Sequence, residues 1–430
     1  MNRSLPALEP VPDTERRHVA VVGAGLVGLC SALWLQKAGH RVTIIDPEPP
    51  LEGAPYRQAC SYGNACTFAP HGVVPVATPG IAWRVPGMLL NPLGPLAIVW
   101  RYLPQLAPWL GAFLASSGKS EVERIAGTLA SLLAFSDAAW QPLIARAGAG
   151  HLKRQTGCLY LYKTEAQYRA AEAENGLRQH HGVTMDRLDK EAIRSLEPNL
   201  APVYDKGVLF RDAYIFSSPR QLAIALAQAL IEGGGNVLCG EVKTIATRNG
   251  GVGLSVAGNE IRADHAVVAA GAHSRKLTDR IGDHVLLDTE RGYHVLFPQS
   301  GALLSRPVCY PEHGFYMVPM ADGLRAAGTV ELGGLAAPLN PRRTAVIREG
   351  VRKLLPMAGG ATDEWLGSRP SMPDSLPVIG ESRKSSRITY AFGHGHLGLT
   401  LSALTGYLVC QLVSGYRPTI DLHPFRPDRF

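Results

Sequence analysis

The chain has 430 residues, 46% of them hydrophobic, which is enough for one large domain or two intertwined ones. Lys and Arg number 43 against 36 Asp and Glu, giving a net charge of +7, but the basic residues are scattered, which disfavours a nucleic-acid partner. Seven cysteines without a CxxC pair favour a reducing compartment over a disulfide framework or a zinc site. Residues 1–17 are polar and proline-rich, so we expect a loose tail, no signal peptide and a cytoplasmic protein.

A β-α-β unit follows the tail. The apolar run HVAVV (18–22) predicts a strand, Leu26 to Ala38 a helix that ends at Gly39, and RVTII (41–45) a second strand. Asp46 closes this second strand. The unit is the one on which dinucleotide-binding proteins begin.

The segment GAGLVG lies between the first strand and the helix, and it matches the GxGxxG fingerprint. Gly23 permits a tight turn, Gly25 lets the backbone approach a pyrophosphate, and Gly28 lets the helix pack close to the strand. Leu26 and Val27 begin the helix, whose N–H groups would face the phosphates. Asp46 can accept a ribose hydroxyl, which disfavours NADP. The fingerprint predicts a dinucleotide but does not distinguish NAD from FAD.

Residues 47–84 are loop-rich, and an apolar stretch follows from Val85 to Trp100. It has 16 uncharged residues between Arg84 and Arg101 and is interrupted by three prolines, so it is too short and too broken for a membrane-spanning helix. Two interpretations stay open: a buried or lid-like segment, or peripheral membrane contact through residues 85–109, where tryptophans cluster.

Further helices are predicted at 121–147, 221–232 and 397–413, and further strands at 236–248, 252–257, 265–270 and three times within 292–331. The dinucleotide-type segments are therefore not contiguous. We predict a mixed α/β fold in which a Rossmann-like domain is interleaved with a second domain built on a mostly antiparallel sheet. The first comprises 18–84, 221–285 and 365–420, and the second comprises 85–220 and 286–364.

Several motifs in order extend the argument: GAGLVG, SYGNA, VVAAGAHS, ERGYH, SRPSMPDSLPVIG and FGHGHLGLT. Together they resemble the FAD-dependent D-amino acid oxidase and dehydrogenase superfamily over nearly all of residues 18–415. The nearest resemblance is to bacterial D-amino acid dehydrogenases, including those acting on hydroxyproline. The resemblance implies that FAD is the dinucleotide.

It also implies where FAD binds. The glycine turn would hold the pyrophosphate, Asp46 the adenosine ribose and the Val242 backbone the adenine, while the strand-end residues Ala270 and Gly271 allow close approach. The flavin ring would lie by Ser61, Asn64 and Ala65. Cys66 stands where the motif has glycine, which leaves the backbone shape of this loop in question. No cysteine lies between Ser371 and Gly380, so we expect noncovalent FAD.

The second glycine-rich segment, near the C-terminus, would pass close to the flavin ring. Gly393, Gly395 and Gly398 permit that approach, and the helix that begins near Leu397 would aim its N–H groups at the pyrimidine end. The flanking residues His396, Leu397, Leu399 and Thr400 are therefore cofactor-binding candidates. His394 and His396 have no nearby third ligand, so we expect no metal.

The substrate site would centre on Arg369, which matches the arginine of the superfamily motif and would pair with a substrate carboxylate. A guanidinium presents the fixed fork of donors that this pairing needs. Tyr293, His294 and Tyr316 lie on predicted strands of the second domain. They are the other catalytic candidates if they line the cavity, and the alternative is that they pack across strands. We expect Arg291 at the surface.

The implied reaction is hydride transfer from the substrate Cα to flavin N5, assisted by the lone pair of the neutral amine and needing no side-chain base. The imine product would hydrolyse to a keto acid. We expect a dehydrogenase that passes electrons to a quinone or another acceptor, and a quinone acceptor would bring the protein to the inner face of the cell membrane. The alternative is an O2-using oxidase of a secondary or N-methyl amine, such as sarcosine. The D stereochemistry rests on the resemblance alone.

Overall fold

The computed structural model describes residues 3–248 and 250–430. Within them the helices are α1 (Leu26–Lys37), α2 (Ile81–Leu90), α3 (Leu103–Ala115), α4 (Lys119–Arg146), α5 (Glu165–Ala170), α6 (Glu172–His180), α7 (Lys190–Leu196), α8 (Pro219–Glu232), α9 (Ser274–Ile281), α10 (Pro341–Leu354) and α11 (Gly398–Val413). The strands are β1 (His18–Val22), β2 (Arg41–Asp46), β3 (Thr67–Phe68), β4 (Leu96–Ile98), β5 (Lys153–Arg154), β6 (Cys158–Tyr162), β7 (Asp186–Leu188), β8 (Lys206–Phe210), β9 (Tyr214–Phe216), β10 (Asn236–Cys239), β11 (Val242–Arg248), β12 (Gly251–Val256), β13 (Asn259–Ala263), β14 (His265–Val268), β15 (Asp288–Phe297), β16 (Val308–Tyr310), β17 (Phe315–Met320), β18 (Gly323–Leu332), β19 (Asp363–Ser371), β20 (Val378–Glu381) and β21 (Ile388–Phe392).

The first sheet has the order β10-β2-β1-β14-β21-β20, and its strands are parallel except for β20. The small antiparallel sheet β11-β12-β13 packs on one face, where Val242 and Leu254 join the apolar cluster of Ala20 and Val268. Helices α1 and α11 cover the other face. Parallel strands joined through helices form the Rossmann-like arrangement that the sequence predicts.

Helix α11 is the central core helix of this domain. A Cβ at Gly406 would lie 2.6 Å from the Cys30 backbone, so the glycine lets α11 cross α1 at close range. Trp140 of α4 donates from Nε1 to the Leu399 oxygen at 3.1 Å. Residues 395–413 are long and apolar enough to cross a bilayer by composition, but most of them are buried within the protein. We therefore assign this stretch to the core.

The second sheet is mostly antiparallel, with the order β19-β15-β18-β17-β16-β6-β8-β7, and β4 pairs alongside β18. Helix α10 packs on its back face, where Ile347 and Val351 contact the cluster of Val295 and Met317. The mixed α/β class and the antiparallel second sheet are confirmed. Two assignments differ from the sequence prediction. Strand β19 pairs with β15, so residues 363–371, including Arg369, belong to the second sheet and not to the 365–420 segment of the dinucleotide domain. Helix α4, which lies within the predicted second domain, packs with α1 and α11 in the core of the first.

Residues 3–17 are packed against the first domain, contrary to the expectation of a loose tail. The Arg3 N–H donates to the Ala134 oxygen at 2.8 Å and the Val11 N–H to the Ala38 oxygen at 2.9 Å. Val11 is only 3% exposed. Scattered apolar residues among the prolines supply this contact, which a composition argument does not detect.

His265, in the centre of the first sheet, predicts a stability that falls in acid. It is 1% exposed, lies 2.9 Å from Thr389 Oγ1, and has its pKa lowered to about 3 by burial and by nearby cationic groups. The unfolded chain, with a histidine pKa of about 6.5, binds the proton first, so folding stability is lost as pH falls from about 6.5 towards 3. This histidine contributes about 1.4 kcal/mol per pH unit to that loss.

We expect His265→Gln to reduce the pH dependence of the urea midpoint between pH 7 and 5 in the FAD-saturated protein. The exposed His151→Gln serves as the control. An unchanged slope in H265Q would contradict the assignment of a neutral buried imidazole.

Candidate functional site

The turn between β1 and α1 is built from three glycines with different surroundings. Gly23 has a φ of +105°, and a Cβ there would lie 2.5 Å from the Ala269 oxygen. A Cβ at Gly28 would lie 1.9 Å from the Gly23 oxygen. Gly25 differs, because the nearest atom to a Cβ there is Ser61 Oγ at 3.7 Å. The space before Gly25 is therefore open, as a cradle for a pyrophosphate requires.

The first turn of α1 has no side-chain cap at its N-terminus, where Gly25 is the N-cap residue. The Leu26 N–H donates to Ser61 Oγ at 3.2 Å. The N–H groups of Val27 and Gly28 belong to the same turn and have no acceptor within the helix. Such a terminus attracts an anion such as a phosphate. Ser61 therefore lies at the phosphate turn, whereas the sequence places it beside the flavin ring.

Asp46 is fixed next to this turn at the end of β2. Its carboxylate accepts the Ala24 N–H at 2.7 Å and the Glu48 N–H at 2.8 Å. Burial raises its pKa, while the two backbone donors act in the opposite direction. Its remaining lone pairs can accept ribose hydroxyls.

The other predicted dinucleotide contacts follow the same carboxyl edge of the sheet. Val242 begins β11 two residues after Gly240, whose N–H donates to the main-chain oxygen of Asp46 at 2.9 Å. Ala270 and Gly271 follow β14, and a Cβ at Gly271 would meet no atom within 4 Å. Open glycines, a helix N-terminus that the N-cap residue Gly25 does not cap, and a fixed carboxylate fit a dinucleotide such as FAD.

A cavity of about 280 Å³ lies between the front face of the second sheet, the loop around residues 60–76 and the segment before α11. Asn64, Ala65, Tyr316 and Arg369 line it, as the sequence predicts for a flavin and substrate site.

Arg369 is presented to this cavity by β19. Its Nη1 donates to the Thr329 oxygen at 3.1 Å. A Cβ at Gly292 would lie 2.3 Å from its Cζ, so this glycine leaves the room that the guanidinium occupies. Among the described residues, no carboxylate lies within ion-pair distance of the guanidinium. The arginine therefore retains donors for an anionic ligand.

Glu290 is a site residue that the sequence analysis missed. It lies opposite Arg369 in the β15/β19 register, borders the cavity, and is 4% exposed. Its carboxylate lies 2.7 Å from His396 Nε2, which places His396 at the cavity wall as expected. Burial alone would raise the Glu290 pKa, but His396 and Arg369 together lower it below its ordinary value. Glu290 is therefore ionised, and its negative charge partly compensates the positive charge of Arg369.

We expect Glu290→Gln to tighten the binding of a simple carboxylate, such as propionate, by about fivefold, because the opposing charge is removed. The change in the flavin visible spectrum on titration gives the dissociation constant. Glu121→Gln, on the exposed part of α4, is the control. Weaker binding in E290Q would contradict this account and show instead that Glu290 is needed to position His396 or Arg369.

Tyr293 and Arg291 are directed to the back of the second sheet. The Tyr293 hydroxyl donates to Glu331 Oε2 at 2.8 Å, and its ring packs beside Arg343 and within the apolar core. Tyr293 borders the cavity, but its hydroxyl is bonded to Glu331 and is not available to a ligand in the cavity. The expectation of a surface Arg291 is wrong: it is 2% exposed and lies 3.2 Å from Glu331 Oε2.

His294 is on the front face of β15 but is covered. Its ring stacks with Tyr62 and Trp365, and its Nδ1 lies 3.3 Å from the Gly63 oxygen. It does not line the cavity, so the sequence prediction of a catalytic role has no geometric support. Trp365, which the sequence analysis did not single out, forms the wall, held where Gly63 and Gly367 leave space for its ring.

Cys66 stands where the motif has glycine, and the structure shows the backbone conformation that it adopts. Its φ is +49°, in the left-handed region that glycine prefers. Its N–H donates to Asn64 Oδ1 at 2.6 Å, and its oxygen accepts from Phe216 at 3.0 Å. The loop thus keeps the glycine-type backbone with a buried thiol. Burial raises the pKa of that thiol to about 12, so it stays protonated.

Part of the C-terminal glycine segment lies at the cavity. Gly395, His396 and Leu397 line the cavity, and Gly393 turns the chain with a φ of +83°. Helix α11 begins at Gly398, one residue later than expected.

The next two residues of α11 hold neighbouring segments. The Leu399 oxygen accepts from Trp140, and Thr400 Oγ1 accepts from the Ala69 N–H at 3.0 Å. His394 is buried, and its Nε2 lies 2.8 Å from Thr405 Oγ1. The two histidines therefore contact different residues. In the ranges 3–248 and 250–430, no cluster of His, Cys, Asp or Glu is arranged to hold a metal ion.

Three kinds of comparison with known proteins, by family model, by sequence and by structure, agree. The family model described as FAD dependent oxidoreductase matches residues 18–412. A D-amino-acid oxidase of Bradyrhizobium diazoefficiens is 41% identical, over 97% of this chain and 99% of that protein. A D-amino acid dehydrogenase of Methylobacterium nodulans is 30% identical, over 94% and 96%. The crystal structure of glycine oxidase from Geobacillus kaustophilus superimposes with a TM-score of 0.72 at 24% identity, over 96% and 99%.

Proposed function

This chain belongs to the family of FAD-dependent oxidoreductases, and from that premise we propose that it oxidises the Cα–N bond of an amino acid, the D enantiomer by preference, as a dehydrogenase. The observation that carries the proposal is Arg369, an arginine without a carboxylate partner among the described residues, lining a cavity beside a dinucleotide cradle. The relatives named D-amino-acid oxidase and D-amino acid dehydrogenase support the substrate class.

The residues of the chain perform binding and orientation. Arg369 pairs with the substrate carboxylate, while the Thr329 oxygen and the space over Gly292 hold its guanidinium in one direction. A bound substrate is thereby fixed at one end. Because the reacting groups are then held in place, the reaction becomes effectively unimolecular. When bound, FAD supplies the two-electron acceptor for the hydride that leaves Cα. Leu397, Val74 and Val330 line the same cavity and exclude water from it.

The substrate class is tested by steady-state turnover of D- and L-amino acids, proline analogues and N-methyl amines, with a water-soluble quinone and with O2 as acceptors. We expect turnover of D-amino acids with the quinone and a keto acid or cyclic imine as product. Stoichiometric hydrogen peroxide, or turnover of N-methyl amines alone, would favour the oxidase alternative.

The apolar segment after residue 80 supports a membrane-facing acceptor. Trp83 is 90% exposed, Leu90 78% and Trp100 61%, and Arg101 beside them is exposed. Clustered exposed apolar side chains with a basic neighbour are typical of a surface that rests on an anionic bilayer. We propose that the protein is cytoplasmic and contacts the inner face of the cell membrane through this surface, where it passes electrons to a quinone.

We expect the double variant Trp83→Ser, Leu90→Ser to lose binding to phosphatidylglycerol-containing vesicles by about tenfold or more, because two large apolar groups no longer enter the interface. Cosedimentation measures the bound fraction. Met357→Ser is the matched control, since Met357 is 68% exposed in another segment. Equal sedimentation of all three proteins would argue against membrane contact.

A further inference from the structure

The cavity has a second polar end that the proposed function does not use. Four elements converge there: β6 brings Tyr160, β17 brings Tyr316, the loop before α2 brings His71, and α6 brings Arg178. All four residues line the cavity.

The sheet register sets the distance between the two ends. The Arg369 guanidinium donates to the Thr329 oxygen on β18, and Ala327, two residues along that strand, pairs with Tyr316 on β17. Two residues along a strand and one interstrand spacing together span roughly 8 Å. That is the distance from the α-carboxylate to the end of a medium-sized amino acid side chain.

Two buried polar atoms at this end have no hydrogen-bond partner within the described residues. One is Nδ1 of His71, a residue that is 2% exposed, and the other is Nε of Arg178, which is 8% exposed. Burial, and then the charge of Arg178, lowers the His71 pKa to about 3, so the imidazole is neutral. Buried polar groups without partners are costly, so these two atoms in a cavity wall are positions that a ligand or water would complete.

The charge at this end is positive. Arg178 reaches Asn175 Oδ1 at 3.0 Å and Glu174 Oε2 at 3.4 Å, but the side chain of Glu174 is 46% exposed. The hydroxyls of Tyr160 and Tyr316 are hydrogen-bonded to each other, so the pair has one further O–H to donate. Burial raises the pKa of both phenols well above their usual range, so neither adds negative charge. The cavity lining at this end therefore offers donors and a cation, and the carboxylate that pairs with this cation, Glu174, is half exposed to solvent.

We propose that this end, formed by His71, Tyr160, Arg178 and Tyr316, is a side-chain subsite for a carboxylate, so that the protein prefers acidic amino acids over their amides. The proposal rests on the proposed function, because it assumes that Arg369 holds the α-carboxylate. The side-chain carboxylate would then accept from Arg178 Nε and from the free phenol O–H.

The test compares glutamate with glutamine, in the enantiomer that the enzyme oxidises. We expect kcat/KM for the acid to exceed that for the amide by about tenfold or more in the wild type. Arg178→Met should lower the value for the acid by about 100-fold and that for the amide by less than threefold. Glu174→Gln is the matched control, because it removes the exposed partner of Arg178 and leaves the subsite, so the preference persists.

Ligand binding gives a second readout that needs neither turnover nor a variant. Glutarate should perturb the flavin spectrum of the wild-type holoenzyme at a concentration about tenfold lower than valerate does. Equal binding of glutarate and valerate, equal turnover of acid and amide, or an equal loss for both substrates in R178M would overturn the subsite.

The two proposals fail differently. If neutral amino acids reduce the flavin and acidic ones have no advantage, the subsite is wrong and the proposed function stands. If no amino acid of either kind reduces the flavin, the proposed function itself is wrong.

Discussion

Replacing Arg369 with methionine lowers kcat/KM for the amino acid substrate about 1000-fold, because a bidentate, charge-assisted pair to the carboxylate is lost. Most of the loss appears in KM, since the guanidinium binds the substrate in its ground state as well as during reaction. FAD stays bound, because the dinucleotide cradle lies on the first sheet and Arg369 on the second. Steady-state kinetics and the ratio of flavin to protein absorbance measure the two effects separately.

Two further variants test the role of the Arg369 guanidinium. Arg369→Lys keeps the charge but not the fork of donors, so it should recover only part of the activity. Gly292→Ala keeps the arginine but would place a Cβ 2.3 Å from its Cζ, so it should raise KM by displacing the guanidinium. Arg248→Met removes an exposed arginine on β11 and serves as the control. Unchanged KM in R369M would remove Arg369 from the substrate site.

Replacing Gly25 with alanine raises the dissociation constant for FAD about 100-fold or more while leaving the apoprotein as stable as the wild type. Among the residues that the structure describes, only Ser61 Oγ, at 3.7 Å, lies within 4 Å of a Cβ at this position, so the apoprotein has room for the methyl group. The pyrophosphate does not, because it has to approach the backbone there. Fluorescence quenching of added FAD gives the affinity, and thermal unfolding of the apoprotein gives the stability.

Gly28→Ala separates cofactor binding from folding. A Cβ there would lie 1.9 Å from the Gly23 oxygen, so this variant should lose FAD and about 3 kcal/mol of stability together. Gly118→Ala is the control, since a Cβ at Gly118 meets nothing within 4 Å. Normal FAD affinity in G25A would contradict the placement of the pyrophosphate at this turn.

The parts of the site that the sequence could predict are those determined by local chain geometry. The spacing of Gly23, Gly25 and Gly28 follows from one turn between one strand and one helix, and Asp46 follows at the end of the next strand. Arg369 was identified through a contiguous motif. In each case the residues that act together are close in sequence or form part of one recognisable string.

The remaining parts depend on how distant strands pair. Glu290 meets Arg369 only through the β15/β19 register, and Arg178 reaches the cavity only because α6 packs over β6 and β8. The alternation of β15 also decides which neighbours face the cavity: Glu290 is at the front, whereas Tyr293 faces the back. A single sequence does not fix these registers, so it does not show that Arg291 is buried or that His294 packs against Tyr62 and Trp365.

The most direct test of the central claim is anaerobic reduction of the FAD-loaded protein by an amino acid. We expect that a D-amino acid bleaches the yellow absorbance, that one equivalent of imine or keto acid forms per flavin, and that R369M requires far more substrate for the same effect. If dithionite bleaches the flavin but no D- or L-amino acid, proline analogue or N-methyl amine does, the protein is not an amino acid oxidoreductase of the kind described.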